Sequence, residues 1–122
     1  MAHKILLIED EPDIREQLRD YLALLYPESE ILTAATVAEA QKLLDRGDFS
    51  LVISDCQLPD GLACDILSLV RERAPLIILT GYVEEEELSR VRRSVRGPIH
   101  VLKKPASLAE IAQIVQKHLG RP

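Results

Sequence analysis

The sequence predicts an α/β protein: five parallel strands in one sheet, with helices on both faces. Three observations carry that expectation. Short apolar runs alternate five times with stretches of helical periodicity. The apolar runs are continuous, as strands buried on both faces require. The chain has 122 residues, 47% of them hydrophobic, which suits one domain with a sizeable core. Right-handed crossovers turn such a pattern into a doubly wound, three-layer sandwich. Residues 1–122 read as a single domain without linker, repeat or low-complexity segment.

The first strand is KILLI, 4–8. A helix over 12–26 follows, because Ile14, Leu18, Tyr21, Leu22 and Leu25 recur at helical spacing and Pro12 suits a first turn. Ile14, Leu18 and Leu22 are expected to face the sheet, and Leu24 to face out. EILTA, 30–34, is the second strand. Thr36 and Glu39 have capping-box spacing at the start of a helix that ends at Gly47. LVIS, 51–54, is the third strand, with a helix from about 62 to 73 after it. LIIL, 76–79, is the fourth, with a helix over about 83–95. IHVL, 99–102, is the fifth, and the last helix starts at Ser107 with Glu110 three residues on.

Composition excludes several classes. Lys and Arg total 15 against 20 Asp and Glu, a net charge of −5, which argues against a nucleic-acid surface over the whole domain. The longest apolar run, YLALLY at 21–26, is far short of the ~20 residues of a membrane span. MAHKILLIEDE reaches charged residues too soon for a signal peptide, so the expected location is cytoplasmic, with Cys56 and Cys64 as reduced thiols. His3, His100 and His118 are scattered and suggest no metal cluster.

In open α/β sheets, ligands bind beyond the carboxyl ends of the strands. Strand one leads into Glu9 and Asp10, strand three into Asp55, strand four into Thr80, and strand five into Lys103 and Lys104. Three carboxylates brought together repel one another and raise one another's pKa. A hard divalent cation relieves this, and oxygen ligands are what magnesium prefers. Such an ion also neutralises an incoming phosphoryl group, leaving Asp55 to act as an oxygen nucleophile. Lys104 supplies a point charge and Thr80 a hydrogen bond, the positioning that phosphoryl transfer needs. Singly, each residue has a duller reading: Asp10 as a helix cap, Thr80 as a strand end, Lys-Lys-Pro and Leu-Pro-Asp-Gly as turns. The functional reading rests on the complementary set.

The motifs ILLIEDEPDIREQL, LVISDCQLPDG, LIILTGY and VLKKPAS, in this order, resemble response-regulator receiver domains of two-component signalling, of the chemotaxis-receiver kind. The resemblance covers nearly the whole chain and implies the flavodoxin-like strand order 2-1-3-4-5. It implies that Asp55 is the phosphoacceptor. Asp10 and Glu9, with Asp55 and the backbone carbonyl of Gln57, would hold Mg²⁺. Thr80 would be the switch hydroxyl and Lys104 the phosphate-pairing lysine, ahead of a candidate cis peptide at Pro105. Gln57, Gly81 and Tyr82 would tune acyl-phosphate lifetime, with Tyr82 shielding the phosphate and slowing hydrolysis. The implied donor is a histidine kinase or histidine phosphotransfer protein docking across the first helix. The implied output is a downstream partner or fused domain, or a dimer, through the fourth helix, fifth strand and fifth helix. ISDCQLPDG and ILTGY also resemble receivers fused to hybrid sensor kinases.

The family's usual aromatic switch position is Val101 here, expected to pack in the core, with His100 beside it expected in solvent. EEEE, 84–87, and RVRRSVR, 90–96, polarise the fourth helix; the acids suit a helix start, and Arg92 and Arg93 offer a charged surface to a protein partner. No enzyme turning over a free substrate is expected. Other readings are a phosphohydrolase working through an aspartyl phosphate, a degenerate receiver serving only as an interaction module, and a flavin or nucleotide binder. Gln57 in place of a second aspartate opposes the first, the complete residue set the second, and EDEPD without a glycine-rich loop the third.

Overall fold

The computed structural model describes residues 3–62, 70, 74–81, 85–94 and 97–121. Each apolar run forms a strand: β1 (Lys4–Ile8), β2 (Glu30–Ala34), β3 (Leu51–Asp55), β6 (Leu76–Thr80) and β7 (Ile99–Lys103). All four pairings are parallel, in the order β2-β1-β3-β6-β7. Counted in chain order, this is 2-1-3-4-5. The strands after the first two run one residue further than predicted and take in the polar residues Asp55, Thr80 and Lys103.

Side chains along the central strands alternate between two cores. Ile5, Leu7, Leu51, Ile53 and Ile77 pack with Leu18 and Leu22 of α1 (Pro12–Leu25) and with Ile111 and Val115 of α4 (Leu108–Leu119). Leu6, Ile8, Val52 and Ile78 pack on the other face with Ala40 and Leu44 of α2 (Val37–Arg46) and Leu88 and Val91 of α3 (Glu85–Ser94). Covering both faces is what makes continuous apolar strands stable. Each fully buried Leu or Ile contributes about 1.5–3 kcal/mol. As expected, Ile14 is partly buried against this core and Leu24, 77% exposed, faces out. The Tyr26 hydroxyl donates to the Gly120 carbonyl at 2.7 Å and ties the ends of α1 and α4 together.

Leu-Pro-Asp-Gly is more than a turn. It closes a two-stranded antiparallel hairpin, β4 (Gln57–Leu58) and β5 (Gly61–Leu62). Leu62 therefore belongs to a hairpin strand, which corrects the predicted helix start; the rest of that helix, apart from residue 70, lies outside the described residues. So do the first two residues of the helix predicted over 83–95 and its last, and Cys64. Asp10 is not a helix cap: the N-cap of α1 is Glu11, which makes no side-chain cap hydrogen bond.

Candidate functional site

The ladder continues past the strand ends and fixes the backbone where the polar residues sit. Glu9 N–H donates to Ala34 at 2.9 Å, Cys56 N–H to Leu79 at 3.2 Å and Lys104 N–H to Thr80 at 2.8 Å. Glu9, Asp55 and Lys104 therefore stand on sheet backbone rather than on mobile loops.

These side chains meet. One carboxylate oxygen from each of Glu9, Asp10 and Asp55 lies within 4.8 Å of the others. Lys104 Nζ donates to Asp55 Oδ2 at 2.8 Å and to Glu9 Oε1 at 2.9 Å. The second Glu9 oxygen accepts the Asp10 N–H at 3.1 Å, and Asp55 Oδ1 accepts the Gln57 N–H at 3.4 Å. Arg15, on the first turns of α1, donates to the backbone carbonyls of Glu9 (3.0 Å) and Asp10 (3.4 Å), so it supports the acidic loop without competing for its carboxylates.

Electrostatics follow from burial. Glu9 is wholly buried, and desolvation pushes its carboxyl up to about 7. The Lys104 hydrogen bond opposes that rise, and Asp55 adds to it. For Lys104, burial acts to lower the pKa, but the hydrogen bonds to Asp55 and Glu9 prevail and hold the ammonium at about 12. Three acids facing one ammonium leave an excess of negative charge at a spot lined by oxygens. That donor set fits a hard divalent cation such as Mg²⁺.

Thr80 ends β6 and is buried, while Gln57 is exposed at the site's edge. A Cβ added at Gly81 would meet nothing within 4 Å, so space is open there. The Lys104–Pro105 peptide is cis. Tyr82 lies outside the described residues. Val101 packs against the core as expected. His100 does not stand in solvent: it is half-buried, and its Nε2 lies 2.7 Å from Nε2 of His118. The histidines are thus not all scattered. A signal was present, since His100 shares the strand face of Leu102, and His118 follows Val115 by one helical step.

Beside the site lies a groove of about 440 Å³ between α1 and the turn from β7 to α4. Ile14, Leu18, Lys104, Pro105, Leu108 and Ile111 line it. Among the described residues, no helix is long and apolar enough to cross a membrane.

Known proteins resemble this chain in sequence and in fold. The sequence model of the response regulator receiver domain matches residues 5–116. Response regulator protein PilR of Pseudomonas aeruginosa is 31% identical over 115 residues, 92% of this chain and 25% of PilR. A 14.6 kDa uncharacterized protein of Leptolyngbya boryana is 35% identical over 120 residues, 93% of this chain and 88% of that one. The chain thus spans about a quarter of PilR but most of the Leptolyngbya protein. The crystal structure of a CheY-like receiver domain protein from Methanospirillum hungatei JF-1 matches in fold, with a TM-score of 0.85 at 22% identity, covering 98% of this chain and 94% of that one. The receiver domain of sensor histidine kinase PA1611 from Pseudomonas aeruginosa PAO1 has a TM-score of 0.75 at 26% identity and covers 98% of this chain and 99% of that one. That structure holds a magnesium ion in its active-site cleft. With the strand order, the strand-end acids and the lysine all in place, the chain belongs to the response regulator receiver domain family of two-component signalling.

Proposed function

We propose that residues 1–122 form one phosphoacceptor receiver domain in which Asp55 takes a phosphoryl group from a phosphohistidine. The single observation that carries this reading is the Lys104 ammonium seated on Asp55 Oδ2, with Glu9 and Asp10 beside it. An Asp55 oxygen attacks phosphorus, the P–N bond of the donor breaks, and its electron pair returns to the imidazole. Glu9, Asp10, Asp55 and the Gln57 carbonyl would hold Mg²⁺, which when bound offsets the charge of the acids and of the incoming phosphoryl oxygens. Lys104 stays charged across the physiological range and pairs with the transferred group. Thr80 supplies a hydroxyl to the same group. Gln57 and Gly81 border it and set how readily water reaches it; Tyr82, outside the described residues, would by the family resemblance slow hydrolysis.

The donor is a histidine kinase or histidine phosphotransfer protein whose helices fit the apolar groove beside α1. Phosphorylation then biases the face made by α3, β7 and α4 toward a partner, a fused output domain or a second copy. Arg92 and Arg93 are exposed on α3 and add charge selection to that face. The magnesium ion in the PA1611 receiver supports the cation assignment, and that protein's class supports a hybrid-kinase setting as readily as a free-standing regulator.

The test is intact-mass measurement after incubation with acetyl phosphate and Mg²⁺. A gain of one phosphoryl group is expected, lost in Asp55→Asn and lost with chelator. No gain in the unaltered protein, or a gain that survives Asp55→Asn, overturns the reading.

A further inference from the structure

We propose that Asp60 is a positioning residue for the cation site: it clamps the hairpin that carries Gln57 onto the start of α2. This rests on the reading of the Gln57 carbonyl as a Mg²⁺ ligand. The Asp60 carboxylate accepts the Val37 N–H at 2.7 Å through Oδ1 and the Ala38 N–H at 3.1 Å through Oδ2. Those donors are 23 and 22 residues away in sequence, so the contact joins two otherwise separate loops at the site's edge of the sheet. Thr36 Oγ1 accepts the next N–H, that of Glu39, at 3.1 Å. Thr36 alone already provides an ordinary cap for α2, and Asp60 comes from outside the helix.

The hairpin connects Asp60 to the chemistry. Gln57 pairs with Leu62, and Leu58 with Gly61, so the tip and the base of this short ribbon move together. At the base, the Gln57 N–H faces Asp55 Oδ1. At the tip, Gly61 has φ +152°, and a Cβ there would come 3.6 Å from Val37 Cγ2, so the turn rests directly on α2. A two-residue ribbon has little stability of its own. Anchoring its tip therefore narrows the positions open to Gln57, and hence to its carbonyl. The Val37 N–H holds the Asp60 carboxyl below its ordinary value against an opposing desolvation, and the Ala38 N–H adds to the lowering. The clamp is thus an anion at neutral pH, set against the positive end of the α2 dipole.

A helix cap and a positioning residue make different predictions. Mg²⁺ alone is titrated into the full chain by calorimetry, with thermal unfolding recorded on the same samples. Outer residues that orient metal ligands typically change affinity about 10- to 100-fold, and Asp60 acts one step further out, so Asp60→Ala should weaken Mg²⁺ binding by about 3- to 10-fold. Asp60→Asn, whose amide oxygen still accepts one N–H, should recover most of that loss. Thr36→Ala removes a true cap and should lower the unfolding temperature with Mg²⁺ affinity unchanged. Saturating Mg²⁺ should restore the rate of phosphorylation by acetyl phosphate in Asp60→Ala. Unchanged Mg²⁺ affinity in Asp60→Ala, or an equal loss in Thr36→Ala, overturns the proposal. If Asp60→Ala does not fold, Asp60→Asn and Asp60→Ser are compared with Thr36→Ala by the same criterion. Failure of the unaltered chain to bind Mg²⁺ counts instead against the phosphoacceptor reading, and this inference falls with it.

Discussion

Among the described residues, two clusters of titratable groups are at least partly buried, and they meet the cost of burial in opposite ways. At the carboxyl edge of the sheet, Glu9 and Asp55 share the Lys104 ammonium. Three residues back from Lys103 on β7, His100 meets His118 of α4. Burial disfavours charge at both places, lifting Glu9 and lowering both histidines. The first cluster sets its acids against an opposite charge, the Lys104 ammonium, which limits the rise of Glu9. The second discards its charge, so that one neutral ring can donate to the other. Their 4.9 Å centroid separation suits rings meeting nitrogen to nitrogen, end on. A cluster with unequal numbers of acids and bases can act on a charged substrate, whereas the histidine pair joins β7 to α4.

The largest expected effect breaks the charged cluster. Lys104→Met should slow phosphorylation by acetyl phosphate by about 100-fold, the usual loss when one preorganised donor to a developing charge is removed. Mg²⁺ affinity should not fall, because the ammonium competes with the cation for Glu9 and Asp55. A parallel fall in both would mean that Lys104 holds the acids in place rather than serving the phosphoryl group. Mass spectrometry for the first and calorimetry for the second separate these outcomes.

The next effect is thermodynamic. The folded pKa of Glu9, about 7, lies above its ordinary 4.5, so between these values the native state binds more protons than the unfolded chain. The resulting stability is complete below pH 4.5 and is lost as pH rises through about 7. In Mg²⁺-free buffer, the unaltered protein should therefore lose about 2 kcal/mol relative to Glu9→Gln between pH 5 and pH 8, read from urea midpoints. A constant difference would mean that Glu9 stays ionised in the fold and that Lys104 fully compensates it.

The contrast between the clusters also marks what was legible in the sequence. The strands were legible because each is a continuous apolar run next to a helix signal, and the site because parallel sheets bring their carboxyl ends to one edge. Thr36 with Glu39 and Ser107 with Glu110 gave two helix starts, and both hydroxyls accept the expected N–H. What spacing could not show was contact between distant segments. Asp60 reaches α2 across 22 and 23 residues, and His100 reaches His118 across 18. Neither pair belongs to a local motif. Even so, each histidine lies on the packed face of its element, and a count of polar residues on the buried faces would have flagged both. Glu9 could be placed at a strand end, but its complete burial depends on neighbours from other strands.

The smallest effect concerns the neutral pair, and its sign is opposite to that of Glu9. Burial, then the Lys117 charge, lowers His100; burial, then His100 and Lys117, lowers His118. Both folded values lie below the ordinary 6.5, so near and below that pH the unfolded chain binds more protons. Stability from the pair is present above pH 6.5 and is lost as pH falls through the folded values. One proton added to the pair leaves the Nε2 hydrogen bond in place, whereas a second would set two N–H groups head to head. His118→Gln should remove this acid-side loss, a difference of less than about 1 kcal/mol because both rings are partly open to solvent. Urea midpoints at pH 7.5 and pH 5.5, each compared with the unaltered protein, cancel the contribution of Glu9, which both proteins retain. If His118→Gln loses stability on acidification as steeply as its parent, the pair is held by packing and not by its proton, and the two clusters no longer differ in kind.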